Sequence, residues 1–488
     1  MTEDTTQGRA RHQIIGLYLG PAVALLMLLS GSPDSLAEAG WRCAAIGVLM
    51  AIWWATEALP LAATALLPIL AFPLLGIRSL DETVVPYSSQ VIYLFLGGFV
   101  VAFAMQRWNL HRRIALTVLN RVGSDGASLV GGFMLVSAVI SMWVMNTSTT
   151  MMLLPIAVSI IAVVQNSVTE LDDDTRQQFQ YALLLGVAYG ATIGGIATLV
   201  GTAPNAILVD FMRSTYGTKI DFASWMLVGL PLSACMLPLA WLVLTRVAFK
   251  VNFHASPEAR NELRRLKDEM GPMSTPELRV AIVFTLLAIL WVTRPLLTRL
   301  PFLSELEDSM IVIAGVLVLF MLPSGDRDDP ILLRWKYAEG LPWGVLLLFG
   351  GGLSLARAVS STGLAEWIGT NLQAIGALPL VLIVAVTATM IIFLTELTSN
   401  VATTLTFLPV VGAIAVESGF DPITVAVPVT LAASCAFMLP VATPPNAIVF
   451  GSGMLTIPKM MRAGLALNIV GIFLVTAVAV VLAPRVLQ

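Results

Sequence analysis

Three long stretches of this chain, residues 126–169, 177–209 and 422–458, contain no Asp, Glu, Lys or Arg. Water is a poor solvent for such runs, whereas a bilayer suits them. The whole chain of 488 residues is 57% hydrophobic and only 12% charged, against about 25% charged in an ordinary soluble domain. A large soluble protein would need a polar coat that these residues cannot supply. The composition therefore predicts an all-α polytopic membrane protein surrounded by lipid.

The formal net charge is -3 and no basic tract suggests nucleic acid. Cys43, Cys235 and Cys435 sit in apolar surroundings without ligand spacing and read as small core residues. His12, His111 and His254 are far apart in sequence, which argues against a metal centre. No nucleophile–base constellation and no nucleotide fingerprint is present, so neither an enzyme nor a nucleotide-driven pump is expected.

Apolar segments recur at about 14–31, 43–56, 60–75, 89–105, 126–143, 148–166, 179–200 and 222–248. The second half has them at about 277–294, 308–322, 341–356, 374–394, 402–419, 424–441 and 464–486. The first lacks a convincing cleavage pattern and is expected to be retained. A charged stretch with "SPEARNELRRLKDEM" (256–270) joins the halves. Its Arg and Lys content favours the cytoplasmic side, and it suits a short amphipathic helix or a solvated connector.

The halves repeat one another. "FLGG" at 95–98 and "FGGG" at 349–352 stand 254 residues apart. So do Asn146 and Asn400, and so do Pro155 and Pro409. "GTAPNAI" (201–207) and "ATPPNAI" (442–448) form a further pair, with Asn205 and Asn446 separated by 241. Transporter repeats often have opposite topology and meet near the bilayer midplane. This predicts a tail at 1–12, a first repeat at 13–249, a connector at 250–276 and a second repeat at 277–488. The Gly-rich runs near 90–113 and 341–366 fit either re-entrant hairpins or tilted helices with Gly at a packing face. Hairpins are the reading carried forward. The segments near 127–164 and 376–417 are expected to be broken helices.

The polar phrases carry the chemistry. "VMNTSTT" (144–150) and "TELTSNVATT" (395–404) place Asn among hydroxyls inside apolar segments, where an unsatisfied Asn is costly. A helix that stops and restarts there exposes carbonyls from one half and N–H groups from the other. Carbonyl, Asn, Ser and Thr oxygens suit Na⁺, and N–H groups at a positive helix end suit an anion. The prolines of the "GTAPN" and "ATPPN" phrases make second breaks. Glu396 stands beside the second phrase as a partner for a buried donor or a cation, or as a structural residue. Glu57 reads as interfacial or packing. Arg107 and Arg357 read as snorkelling residues or as anion attractors.

At these residues the chain resembles the divalent anion/sodium symporter family, which includes sodium-coupled dicarboxylate, citrate and sulfate transporters. The resemblance runs over nearly the whole chain and implies a homodimer with elevator-type movement. It implies a first sodium site at Ser141, Asn146 and Gly201, and a second at Thr395, Thr398, Asn400 and Ala442. The dianion would touch Asn146, Thr147, Ser399, Asn400, Val401, Thr443 and Pro444. Two departures stand out: Met145 and Val401 occupy positions where the family pattern has Ser and Thr. The expected activity is sodium-coupled symport of a C4-dicarboxylate such as succinate, fumarate or malate, with two or more Na⁺ ions. Sulfate or citrate symport and sodium-independent exchange are the alternatives. The expected location is a bacterial inner membrane.

Overall fold

The structure is a computed structural model describing residues 10–487 apart from 124, 168–171, 252–256, 327–328 and 372–378. His254 and the start of the charged connector lie outside the described residues. Among the described residues the chain is helical, with one isolated β-bridge between Pro323 and Ile331. Ten helices among the described residues are long and apolar enough to cross a membrane.

The interruptions at the polar phrases are hairpin tips. Helix Gly126–Ser141 has 16 residues, about 24 Å at 1.5 Å per residue, too short for a hydrocarbon layer of about 30 Å. It ends as Met142 donates to the Ala138 carbonyl and Trp143 tightens onto Ile140. The chain then restarts in Asn146–Ser167. Both arms lie along helix Asp173–Ile196. Gly186 faces Val130 and Met134, Gly190 faces Met134 and Ser137, and Gly194 faces Ala138, so the first arm runs parallel to that helix. The second arm runs antiparallel to it, since Gln165 bonds Gln180 at 3.0 Å near one end while Asn146 meets Gly195 at the other. The two arms are therefore antiparallel to each other and form a re-entrant hairpin.

Helices Leu380–Thr395 and Asn400–Glu417 repeat this arrangement along Ile423–Ala433. Thr395 and Ala433, both at helix C-termini, meet through a hydrogen bond of 3.0 Å. The two hairpins enter from opposite ends of the molecule. The first has its foot beside the connector helix Pro257–Asp268, where Ser159 donates to Glu262 at 2.9 Å. Hydrogen bonds from Arg265 hold the Glu262 carboxyl below its ordinary value. The second packs Gly412 against Phe211 and Tyr216 at the far end of helix Ala203–Tyr216. Phe95 and Phe349, equivalent positions of the two repeats, touch each other with ring centroids 5.1 Å apart.

Several expectations need correction. The Gly-rich runs are not hairpins: Gln90–Arg107 and Trp343–Ser361 are uninterrupted helices. Their glycines permit close approach, Gly97 to Val312 and Gly351 to the Ala65 carbonyl. The segments near 127–164 and 376–417 are the hairpins rather than broken helices. Cys43 and Cys435 are buried, but Cys235 is exposed on helix Phe222–Leu242. Arg107 neither snorkels nor faces an entrance: it pairs with Asp329 and lies 3.9 Å from the Tyr337 ring centroid.

Candidate functional site

Helix starts, rather than any single helix, build the site. Two are the hairpin tips at Asn146 and Asn400. The others open the helices after the second interruptions, Ala203–Tyr216 and Pro444–Gly451. Residues from all four starts line one cavity of about 800 Å³. Each N-terminus presents backbone N–H groups lacking an intrahelical partner, and their partial positive charge favours anions. The tips contribute more donors, because Pro204, Pro444 and Pro445 have no N–H. Ser399 caps its helix without a side-chain hydrogen bond, whereas the Thr443 hydroxyl accepts from the Asn446 N–H at 3.3 Å. Among the described residues lining the cavity, none is Lys or Arg. An anion bound there would have to be balanced by helix ends and by any cation bound beside it.

Oxygens gather just behind each tip. One end of the Asn146 carboxamide lies against Ser141 Oγ, 3.3 Å from the Gly201 carbonyl and 3.2 Å from the Ala191 carbonyl. With its nitrogen turned inward the amide donates to these acceptors. With its oxygen inward, Oδ1 lies close to three further oxygens, those of Ser141, Gly201 and Ala191, and a cluster of this kind suits a small hard cation. Gly195 makes room for this cluster, since a Cβ there would lie 2.7 Å from Asn146 Oδ1.

The second tip repeats the cluster. Thr395 Oγ1 lies 2.8 Å from Asn400 Oδ1 and 3.0 Å from the Ala433 carbonyl, two acceptors that share its single hydroxyl proton. Thr398 Oγ1 meets Thr403 Oγ1 at 2.7 Å and donates to the Leu394 carbonyl at 3.0 Å. Ala442 lines the cavity beside Thr443 and Pro444. Buried Asn205 holds the first interruption through the Thr198 and Ile196 carbonyls at 2.8 and 3.2 Å. Buried Asn446 holds the second through the Leu439 carbonyl at 3.0 Å.

Of the residues expected to hold the anion, Asn146, Thr147, Ser399, Asn400, Val401, Thr443 and Pro444 all line the cavity. Of those expected to hold sodium, Asn146, Gly201, Thr398, Asn400 and Ala442 line it too, while buried Ser141 and Thr395 bond to the two asparagines from behind. Met145 also lines the cavity. Sequence reasoning missed the carbonyls of Ala191 and Ala433, which belong to unremarkable apolar helix and carry no residue-type signal. It also missed Glu57 as a cavity residue; this C-cap adopts a left-handed conformation at φ 48°. His12 lies at the same mouth.

Comparison with known proteins agrees with this architecture. A family model described as the sodium:sulfate symporter transmembrane region matches residues 11–486. A relative in Staphylococcus saprophyticus, named sodium-dependent dicarboxylate transporter SdcS, is 41% identical, covering 97% of this chain and 92% of its own length. The SdcS of Staphylococcus aureus strain MRSA252 is 40% identical with the same coverage. Among solved structures, the Alcanivorax borkumensis YdaH transporter, described as having an unusual topology, shares the fold at a TM-score of 0.53 with 13% identity over 96% of both chains.

Proposed function

This chain belongs to the sodium:sulfate symporter family, and on that premise we propose that it is a multi-pass membrane transporter coupling Na⁺ to the import of a small divalent anion. The observation that carries this reading is the convergence of four helix N-termini on a cavity lined by neither Lys nor Arg among its described residues. The relatives named for sodium-dependent dicarboxylate transport favour a C4-dicarboxylate such as succinate, fumarate or malate.

One Na⁺ sits among Ser141, Asn146, Gly201 and the Ala191 carbonyl. A second sits among Thr395, Thr398, Asn400, Ala442 and the Ala433 carbonyl. Each draws the oxygens of its own tip inward, and together they offset the charge of the dianion. The anion then lies between the tips, against the N–H groups and side chains of Asn146, Thr147, Ser399, Asn400 and Val401, with Thr443 and Pro444 beside it. Binding of either ion favours the other by the same factor.

The end bearing the connector is taken as cytoplasmic. His12 and Glu57 line the cavity, which supports reading this as an inward-open state. The hairpins and their paired helices move as a transport domain against a scaffold, in a homodimer in the bacterial inner membrane. Repeats at 13–249 and 277–488 supply the two halves.

Reconstituted uptake of radiolabelled succinate, citrate and sulfate, with and without a sodium gradient, tests the reading. Sodium-driven accumulation of succinate is expected. Equal counterflow without sodium would establish an exchanger instead, and uptake restricted to sulfate or citrate would change the cargo. Met145→Ser adds a hydroxyl at the first tip and is expected to shift half-saturating sodium or anion preference by about two- to tenfold. Superimposable uptake curves across anions and sodium concentrations would remove Met145 from the site.

A further inference from the structure

Helix Phe222–Leu242 continues into a wider π-helical turn, Val243–Ala248. It emerges beside the foot of the first hairpin, where the Lys250 N–H donates to Gln178 Oε1 at 2.5 Å. Helix Ile457–Ala477 runs alongside in the opposite direction. Tyr181 ties the two together at the foot: its ring lies 5.7 Å from that of Phe249 and 5.9 Å from Lys459 Nζ. Deeper in, Gly471 faces Met236.

Each helix bears an exposed apolar stripe that ends in an arginine. On the first it passes through Pro238 and Leu242 to Arg246, and on the second Ile469, Leu465 and Met461 lead to Arg462. The spacing of three to four keeps each stripe on one face. Both arginines are exposed. Each stands three residues deeper than the Phe249–Lys459 bridge, so the two face the same level of the bilayer.

Their charge is unanswered. Among the described residues, Arg246, Lys250, Lys459 and Arg462 form no ion pair. The acids that open the neighbouring helix are engaged elsewhere. Asp172 accepts from the Thr175 N–H at 3.1 Å, Asp173 lies 3.6 Å from Arg176, and Asp174 accepts from Gln178. A single cation at a helix end simply snorkels to the headgroups. Two arginines at one level, at the head of an apolar valley between adjacent helices, make a phosphate cradle, because guanidinium groups match phosphate with paired N–H donors. Basic pockets of this kind between membrane helices on the cytoplasmic side hold anionic headgroups. The π turn that carries Arg246 is of a type concentrated at functional sites.

We propose that these two helices hold one anionic phospholipid of the cytoplasmic leaflet, its phosphate between Arg246 and Arg462, Lys250 and Lys459 around the headgroup, and its acyl chains along the two stripes. Both helices back onto the elements that carry the site: Ser233 donates to the Ile193 carbonyl at 2.7 Å, and Gly464 faces Phe437. In the elevator reading a lipid held there travels with the transport domain. Its binding depends on neither the cargo nor the sodium coupling.

The test is thermal stabilisation of the purified, delipidated full chain, titrated with phosphatidylglycerol and with phosphatidylethanolamine of the same acyl chains. Phosphatidylglycerol should reach half-saturation at a concentration about tenfold lower or better. Arg246→Gln combined with Arg462→Gln should raise that half-saturation about tenfold, whereas Arg260→Gln combined with Arg264→Gln, an equal loss of charge from the connector helix, should shift it by less than about twofold. Equal effects of the two lipids, no shift in the first double variant, or equal shifts in both double variants would overturn the proposal, the last because surface charge alone would then account for binding. Inorganic phosphate should leave the phosphatidylglycerol titration unmoved; competition by it would assign the cradle to a free anion and overturn the lipid. Should the first double variant fail to fold, Arg462→Gln alone decides by the same criteria, with an expected rise of about threefold.

Discussion

Asn400→Ala, and separately Asn146→Ala, should lower sodium-driven uptake by about a hundredfold or more, the scale of losing a ligand from a desolvated charge, while leaving folded protein in the membrane. In the proposed site each asparagine would serve two ions. Its side chain stands in the oxygen cluster, Asn400 against Thr395 at 2.8 Å and Asn146 against Ser141. Its backbone opens the helix whose N–H groups face the cavity. Alanine keeps the helix start but removes the cation ligand, and coupling carries that loss over to the anion. Half-saturating sodium should therefore rise before maximal uptake falls. Near-normal uptake by both variants, at matched expression and monodispersity, would remove the tips from the site.

Gly194→Val is expected to abolish folding rather than transport alone. A Cβ at Gly194 would lie 2.2 Å from the Ala138 carbonyl oxygen and 2.4 Å from its Cα. Those atoms are backbone in the first arm of the hairpin and cannot rotate away. Gly190 is similarly close to the Met134 carbonyl, at 2.6 Å, one turn earlier on the same face. Small residues at this spacing let helices pack in lipid, where no hydrophobic force drives them together. Overpacking here should cost more than about 3 kcal/mol. Gly47→Ala is the control, since its Cβ would meet only Leu355 at an ordinary 3.5 Å. Size-exclusion profiles and thermal unfolding should show loss of monodisperse Gly194→Val protein and near-wild-type Gly47→Ala. A monodisperse Gly194→Val variant with unchanged Tm would contradict the packing of the first hairpin.

Much of the candidate site was legible in the sequence because polar groups cannot hide in an apolar chain. Asn146 and Asn400 stand out at one register, and Phe95 with Phe349 shares it. What a sequence of this kind does not display is direction. A hairpin tip and a broken helix both read as a helix stop followed by a helix start. The difference lies in whether the second helix turns back, which is set here by contacts with Asp173–Ile196 through Gly186, Gly190 and Gly194. The same ambiguity misplaced the hairpins onto the glycine runs, where Gly97 and Gly351 instead admit neighbouring Val312 and Ala65. Arg107 was misread because its partner Asp329 lies more than two hundred residues away. The Ala191 and Ala433 carbonyls were invisible because every residue has a carbonyl.

The central claim is that ions of opposite sign share the ends of interrupted helices, without help from Lys or Arg. A cryo-EM map of the protein saturated with sodium and succinate tests it most directly. The account predicts succinate density between Asn146 and Asn400, with cation density beside Thr395 and Ser141. Succinate bound instead in the smaller outer cavity near Arg213, Lys219 and Arg294, with both tips turned away from it, would contradict the account.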